Sequence, residues 1–492
     1  MTKQWSPQQQ EIFKEFAHGT SKIVVVEARA GTGKTTTILE ALDHAPEQDI
    51  VCCAFNKDIA EELKHRIKNP RAQAKTLHSL GNSFIYGRWG RTQIDSARGL
   101  RVAQAAVEQV SRCKDPARDV VKAVADIVSK VKGIAPLTED VERVMEIAIG
   151  FDLQPTADMV DDQEQPYTVE DFAKFALRAL TLACEKDGSI DFDDMIFLPV
   201  RLGWARPRHD LVVVDEAQDM NEAQLLLAQR VCSGRLVIVG DPRQGIYGFR
   251  GADTASFEWF KGELGGKVLK LTVTYRCPKA VVREAQAIVQ DFEAAPSAPE
   301  GFVGDLDSKA LVTAAQPGNF ILSRSNAPLV SVCLKLLREG KRAVVRGKKD
   351  VGASLLKLVE KLRARDLPGL MKKLDAWKER TLKTLRAQKD VSESKIEFVL
   401  DQAETIRELA EGFSSVSELK ARMDTLFSDN NIGNSVVCSS VHKAKGLEAE
   451  KVFVLASTLY PGKRRDIEEQ NIHYVAVTRA KATLILVEGR KF

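Results

Sequence analysis

The chain has 492 residues, 44% of them hydrophobic, and a formal charge of +4 from 72 basic and 68 acidic side chains. That length exceeds what one core serves and points to about three or four domains. The near balance of charge permits a nucleic-acid groove without requiring one. No apolar run approaches the roughly 20 residues of a membrane span, and the polar start MTKQWSPQQQ lacks the apolar core of a signal peptide. Eight cysteines (52, 53, 113, 184, 232, 277, 333 and 438) form no CxxC pair, and several sit in apolar runs. They read as reduced thiols, not as disulfides or zinc ligands. The expectation is a soluble cytoplasmic protein.

In chain order, residues 7–18 predict a helix with Pro7 in its first turn and Gly19 after its end. Lys22 to Thr37, KIVVVEARAGTGKTTT, reads as a buried strand, a glycine turn and a helix start. That is the layout of a phosphate-binding loop, in which backbone N–H groups face an anion, Lys34 adds a positive charge and Thr35 offers a hydroxyl to magnesium. Ala28 stands where the strict pattern has glycine. DIVCCAF (49–55) is a second buried strand, followed by an amphipathic helix, NKDIAEELKHRI. Strands alternating with helices predict a parallel sheet. From about 84 to 185 the pattern turns helical and reads as an insertion, after which DLVVVDE (210–216) and RLVIVGD (235–241) resume the sheet. A second α/β region is expected from residue 266, with KVLKLTVTY, NFILSRS, KRAVVRG, SVVCSSV, KVFVLAS and TLILVEG as strands and a charged helical stretch over 348–434. The predicted division is 1–83 with 186–265, insertion 84–185, then 266–347 with 435–492, insertion 348–434.

A phosphate loop needs acidic partners, and VVVDEAQD supplies two at a strand end. Asp215 would hold magnesium and Glu216 would orient or deprotonate the attacking water. Gln244, in VGDPRQGIYGFRGAD, stands where an amide could sense the terminal phosphate. Tyr247 and Phe249 flank Gly248, with Arg250 next, which suits stacking of unpaired bases.

With these motifs the chain resembles a superfamily 1 DNA helicase of the UvrD/Rep/PcrA type. The motifs occur in family order across nearly the whole chain. WSPQQ resembles the adenine-recognising motif and implies Gln9 as the base reader. ARAGTGKTT resembles the first ATPase motif, in which alanine is frequent at the position of Ala28; Arg29, Ala30, Gly31, Thr32, Gly33, Lys34, Thr35 and Thr36 complete it. CAFNKDIAEEL implies single-strand contacts from Phe55 and Asn56, and KTLHSLG from Thr76 and His78, with Leu77 replacing the family's aromatic. The AFNK and KTLHSL wording is similar to F-box helicases and their phage-like relatives. A prokaryotic or phage-encoded chain is expected. IDFDDMI (190–196) resembles the acidic motif that precedes the magnesium strand. VTYRCP implies Tyr275 stacking on adenine and Arg276 reaching the γ-phosphate. SSVHKAKGLEAEKVFVL implies Gly446 and Glu448 at the nucleotide, with His442 and Lys445 linking it to DNA, and YVAVTRAK implies Arg479 as arginine finger.

The resemblance implies two RecA-like parallel-sheet domains of the P-loop NTPase fold, each carrying a mainly helical insertion. It implies ATP and Mg²⁺ as cofactors, with Thr35 and Asp215 on the metal. It implies single-stranded DNA and its junctions with duplex as substrate, and a monomer moving 3′→5′ in repair, recombination or replication. ATP held between the domains would be completed by Arg276 and Arg479. The stretch 348–434 is shorter than the corresponding domain of the large bacterial members, which favours a second reading: a translocase that strips bound proteins with little unwinding. A third reading is a nucleotide-gated DNA-binding protein without turnover, although every catalytic group is present. The basic loop GKRRD (462–466) reads as a phosphate contact or a solvated loop, and no nuclease fusion is expected within these residues.

Overall fold

The computed structural model describes residues 4–111, 115–156, 158–246, 257, 260–262, 264–347, 351–386, 393–427, 434–459 and 467–488. Contacts divide the chain into two compact units: Met1–Ala28 with Gly33–Leu271, and Arg29–Thr32 with Thr272–Phe492.

The first unit holds strands β1 (Ile23–Ala28), β2 (Ile50–Ala54), β3 (Ala72–Thr76), β4 (Gln93–Ile94), β5 (Ser189–Ile190), β6 (His209–Val214), β7 (Cys232–Gly240) and β8 (Lys267–Leu271). Six of them form a sheet in the order β3-β2-β6-β7-β1-β8, with every pairing parallel. Val24 and Val26 of β1 enter one core with Leu211, Val213 and Leu269. Val25 enters the other with Val212, Val214 and Ile238. A strand buried on both faces must be apolar at successive positions, so these runs stood out in the sequence. Edge strand β3, AQAKT, is only half-buried, carries no such run and was not predicted.

The first helix, Pro7–His18, starts where predicted. Ser6 caps it by accepting from the Gln9 N–H (3.2 Å), and the Gln9 side chain accepts from the Ser6 N–H (3.0 Å). Helices Arg98–Ser111, Arg118–Ile134, Val141–Gly150 and Val169–Ala183 enclose a separate core. The helical reading of this stretch overlooked two details. Helix Leu77–Trp89 starts before residue 84, and β4 pairs in parallel with β5.

A buried ion network ties these helices to IDFDDMI. Asp194 is fully buried; it accepts from Arg98 Nη1 (2.6 Å) and Lys132 Nζ (2.7 Å). Lys132 also reaches Asp191 (2.9 Å), and Arg98 reaches Asp187 (3.3 Å). Burial alone would depress the Lys132 ammonium, but Asp194 and then Asp191 hold it above its ordinary value. Removing one member of such a set strands a buried charge, at a cost of about 3–5 kcal/mol. Arg98 and Lys132 gave no sequence signal, because a lone cation on an amphipathic helix looks solvated.

The second unit contains β9 (Val273–Thr274), β10 (Glu293–Ala294), β11 (Phe302–Leu306), β12 (Phe320–Ser323), β13 (Ala343–Val345), β14 (Val436–Ser440), β15 (Ala449–Leu455) and β16 (Ala480–Val487). Its main sheet runs β11-β16-β15-β12-β14-β13 and is parallel throughout. Helices Ala353–Leu362, Leu367–Arg386, Glu393–Ala410 and Val416–Leu426 lie between β13 and β14. They share one core with the sheet through Leu370, Ile406, Leu419 and Phe427.

One strand belongs elsewhere than the sequence reading placed it. KVLKLTVTY was assigned whole to the second region, yet Lys267–Leu271 extends the first sheet beside β1, and only Val273–Thr274 pairs with β10. The reason is its one-sided pattern. Leu269 and Leu271 are buried while Lys267 and Lys270 face out, which suits an edge strand, and Lys267 Nζ meets the buried Glu15 carboxylate (2.6 Å).

Candidate functional site

Strands β6, β7 and β1 are neighbours in the first sheet, so their C-terminal ends converge on one edge, the usual ligand side of a parallel sheet. The turn after β1 passes through left-handed glycines, Gly31 (φ 69°) and Gly33 (φ 76°), before the helix Lys34–His44 begins. Only glycine takes that conformation without a Cβ penalty. Ala28 ends β1 fully buried and needs no such freedom.

Lys34 Nζ lies 2.7 Å from Glu216 Oε2 at the end of β6. Thr35 Oγ1 donates to Asp215 Oδ2 (3.3 Å). Glu216 is a non-glycine residue at φ 53°, ψ 39°, a strained conformation of the kind that gathers at functional sites. The Glu216 carboxylate also accepts from Gln218 Nε2 (2.5 Å), and Gln218 Oε1 accepts from the Asp241 N–H (3.1 Å). Asp241 in turn accepts from Gln244 Nε2 (2.8 Å). A continuous hydrogen-bonded chain therefore runs Lys34–Glu216–Gln218–Asp241–Gln244 across two strand ends. Gln218, fully buried, is the member that sequence reasoning missed. Its signal was the glutamine two places after the acid pair. A Cβ at Gly240 would lie 2.2 Å from Gln218 Oε1, so that glycine makes room for the link.

Gln9, also buried, donates through Nε2 to Thr37 Oγ1 (2.9 Å), which joins the N-terminal helix to the loop helix. Thr36 Oγ1 accepts from Arg66 (3.3 Å).

The electrostatics are uneven. Burial, and then the neighbouring Glu216 carboxylate, push Asp215 up to about 6 against the pull of Lys34. Burial would depress Lys34, but Glu216 and then Asp215 hold it above its ordinary value. Hydroxyl and carboxylate oxygens are the hard donors that magnesium takes. Beside a buried ammonium and glycine-turn N–H groups, the set fits a magnesium–triphosphate ligand. A pH dependence follows. The folded-state pKa of Asp215 exceeds its unfolded value, so the folded chain holds this proton more tightly, and the associated stability is lost as pH rises through about 6. Without nucleotide or metal, Asp215→Asn is expected to melt higher than wild type near pH 8, with the gap roughly halved near pH 5 and closed below about pH 4. Melting curves showing the same gap at both pH values would overturn this.

The other predicted positions are placed as follows. Phe55 is half-buried against the first core. Asn56 caps the helix Lys57–Arg66 by accepting from the Ile59 N–H (2.9 Å), and Thr76 caps Leu77–Trp89 by accepting from the Ser79 N–H (3.1 Å). His78 lines a polar cavity. Tyr247, Phe249 and Arg250 lie outside the described residues, as does the GKRRD loop.

In the second unit Arg276 Nε pairs with Glu448 Oε2 (2.6 Å), and Tyr275 is exposed. Arg29 pairs with Asp291 (2.8 Å), the Ala30 N–H donates to the Tyr474 hydroxyl (3.0 Å), and Thr32 Oγ1 donates to the Arg29 carbonyl (2.9 Å). Arg479 is buried, with its guanidinium donating to the carbonyls of Val475 (2.9 Å) and Leu447 (3.2 Å). Burial, and then Arg276, lower Arg479 to about 10. Gly446 turns at φ 84°; His442 lies on the short helix after β14, with Lys445 directly behind it.

A phosphate loop after β1, an acid pair after β6 and two parallel sheets define the P-loop NTPase fold with two RecA-like domains. Comparison with known proteins is more specific. The UvrD/REP helicase N-terminal domain matches residues 5–264, more than half of the chain, and the UvrD-like helicase C-terminal domain matches residues 361–490. The chain belongs to the UvrD/REP helicase family. It is 26% identical to the ATP-dependent DNA helicase PcrA of Bacillus subtilis over 58% of this chain and 39% of PcrA. It is 24% identical to the F-box DNA helicase protein 1 of Schizosaccharomyces pombe over 97% of this chain and 57% of that protein. It is 22% identical to DNA helicase II of Escherichia coli over 54% of this chain and 38% of that protein. The chain thus spans between about two fifths and somewhat over half of these relatives. No helix among the described residues is long and apolar enough to cross a membrane.

Proposed function

We propose that this chain is an ATP-dependent motor that moves 3′→5′ on single-stranded DNA, and separates strands during DNA repair, recombination or replication. The observation that carries the reading is the hydrogen-bonded chain from Lys34 through Glu216, Gln218 and Asp241 to Gln244, in a member of the UvrD/REP family. Bound ATP and magnesium would supply the γ-phosphoryl group and the charge that polarises it. Thr35 and Asp215 would hold the metal, Lys34 would neutralise phosphate charge, and Glu216 would take a proton from the attacking water. Gln244, hydrogen-bonded through Asp241 and Gln218 to that base, would relay the state of the terminal phosphate. Gln9 and Tyr275 would hold adenine, with Gly446 and Glu448 at the nucleotide. Arg276 and Arg479 would meet the charge developing during transfer. Phe55, Asn56, Thr76, His78, His442 and Lys445 would contact the strand.

The decisive experiment measures unwinding of duplexes with 3′ or 5′ single-stranded tails, with phosphate release followed in parallel. The expected result is unwinding from 3′ tails and hydrolysis stimulated by single strands. Hydrolysis indifferent to DNA would reject the motor.

A second reading, translocation that displaces bound proteins with little unwinding, is favoured by the compact region between β13 and β14. Its helices are built into the core of the second sheet. Streptavidin displacement from a biotinylated strand, without unwinding of a tailed duplex, would select it.

A further inference from the structure

Two side chains with no part in the proposed hydrolysis, Asp291 and Tyr474, hold the start of the phosphate loop. Arg29–Thr32 belong with them to the second compact unit, where three successive loop residues are each tied to a different partner. The Arg29 guanidinium donates through Nε and Nη2 to the two oxygens of the Asp291 carboxylate, both at 2.8 Å. The Ala30 N–H donates to the Tyr474 hydroxyl (3.0 Å). The Tyr275 N–H donates to the Gly31 carbonyl (2.8 Å).

These contacts fix the shape of the loop as well as its place. The phosphate-loop pattern leaves the position of Arg29 open, and the charge that Arg29 brings there is met by a carboxylate. A two-point arginine–carboxylate pair sets orientation together with distance. Ala30 and Tyr474 are buried, where a backbone donor needs an acceptor. The Ala30 N–H fixes the peptide plane before that residue, and the Gly31 carbonyl fixes the plane after Gly31. Between those planes Gly31 turns at φ 69°. A Cβ there would lie 2.5 Å from Arg276 Cβ and 2.6 Å from Thr274 Oγ1, so the loop lies too close to this strand end for any other residue. One corner of the chain organises both partners. Asp291 takes Arg29, and the ring of the next residue, Phe292, meets the Tyr474 ring edge-on with centroids 5.6 Å apart. Phe292 is itself fully buried, and its carbonyl accepts from Gln286 Nε2 (2.8 Å).

We propose that Asp291 and Tyr474 are positioning residues for nucleotide binding. Asp291 through Arg29, and Tyr474 through the Ala30 N–H, hold the loop in the shape that its N–H groups need to receive a triphosphate. A loop already held in its binding shape lowers the ordering cost of association. The sign of the effect separates this role from direct electrostatics. Removing the Asp291 charge, and so freeing the Arg29 cation, would tighten the binding of an anionic nucleotide if charge alone mattered. If Asp291 acts by fixing Arg29, the same change weakens binding. The inference rests on the ATP-dependent motor reading and adds to it the residues that keep its phosphate loop in shape.

The test is the affinity of the full chain for N-methylanthraniloyl-ATP with magnesium, measured by fluorescence anisotropy beside melting curves without nucleotide. Asp291→Asn is expected to weaken binding about fivefold, the scale of one net hydrogen bond. Tyr474→Phe, which keeps the ring against Phe292 and removes only the hydroxyl, is expected to do the same. In an Arg29→Ala background Asp291→Asn is expected to have no further effect, because the two residues act through one contact. Unchanged or tighter binding by either folded variant would overturn the inference alone, as would an undiminished effect of Asp291→Asn in the Arg29→Ala background. A lower melting temperature with unchanged affinity would do so too, since that is what a merely structural tie gives. If Asp291→Asn fails to fold, Tyr474→Phe decides. Failure of wild type to bind the analogue would reject the motor reading and this inference with it.

Discussion

Lys34→Ala is expected to abolish ATP hydrolysis, with a fall of at least about 10³-fold, because the charge it supplies to the phosphates acts in a buried site where water cannot replace it. The substitution does more than remove a ligand for phosphate. Lys34 is the counter-ion of two adjacent carboxylates, 2.7 Å from Glu216 and close enough to Asp215 to restrain its pKa. Without the ammonium, Asp215 is pushed up further by burial and by Glu216. A protonated Asp215 is a poor metal ligand, so magnesium affinity falls together with turnover. The helix itself survives, since alanine is the best helix former and Lys34 is its first residue. The measurement is steady-state phosphate release with single-stranded DNA, beside a melting curve. Undiminished turnover in a folded variant would remove the loop from the mechanism.

Glu216→Gln is expected to keep nucleotide and DNA binding while slowing hydrolysis by about 10²–10⁴-fold, the usual scale for a lost general base. The amide has nearly the size of the carboxylate, and its oxygen can still accept from Lys34 or Gln218, so the chain of contacts to Gln244 is weakened but not broken. What disappears is the capacity to take a proton. The strained backbone at this residue remains, because its φ of 53° is set by the turn after β6 and not by the carboxylate. Single-turnover hydrolysis together with binding of a fluorescent nucleotide separates the two effects. Wild-type turnover would dismiss Glu216 as the base, and loss of nucleotide binding would make its role structural.

The two acids were legible because they follow the apolar run Leu211–Val214, and the lysine because a glycine turn follows the apolar run Ile23–Val26, each run being what a strand buried on both faces requires. Gln244 followed from the same logic at β7. Gln218 escaped notice because nothing in AQD distinguishes a buried connector from a solvated amide. Its role needs β6 and β7 to be neighbours, and strand order is not written in any local window. Arg98 and Lys132 were invisible for a related reason. Their partners Asp194, Asp191 and Asp187 lie about sixty to one hundred residues away, and only the packing of the insertion brings them within bonding distance. Lys267–Leu271 was placed in the wrong sheet because an edge strand with one buried face pairs as readily with either neighbour when read alone.

The phosphate loop, the acid pair, the family and the two-sheet architecture are all legible along the chain, because they depend on residue types at short spacing. Only the folded chain fixes which strand ends meet, that Gln218 joins Glu216 through Asp241 to Gln244, and that Arg479 is held by the carbonyls of Val475 and Leu447. The physical reason is range. Propensity and burial act along a few residues of chain, whereas a hydrogen bond or ion pair between distant residues is fixed only when the sheet order and the helix packing place its atoms about 3 Å apart.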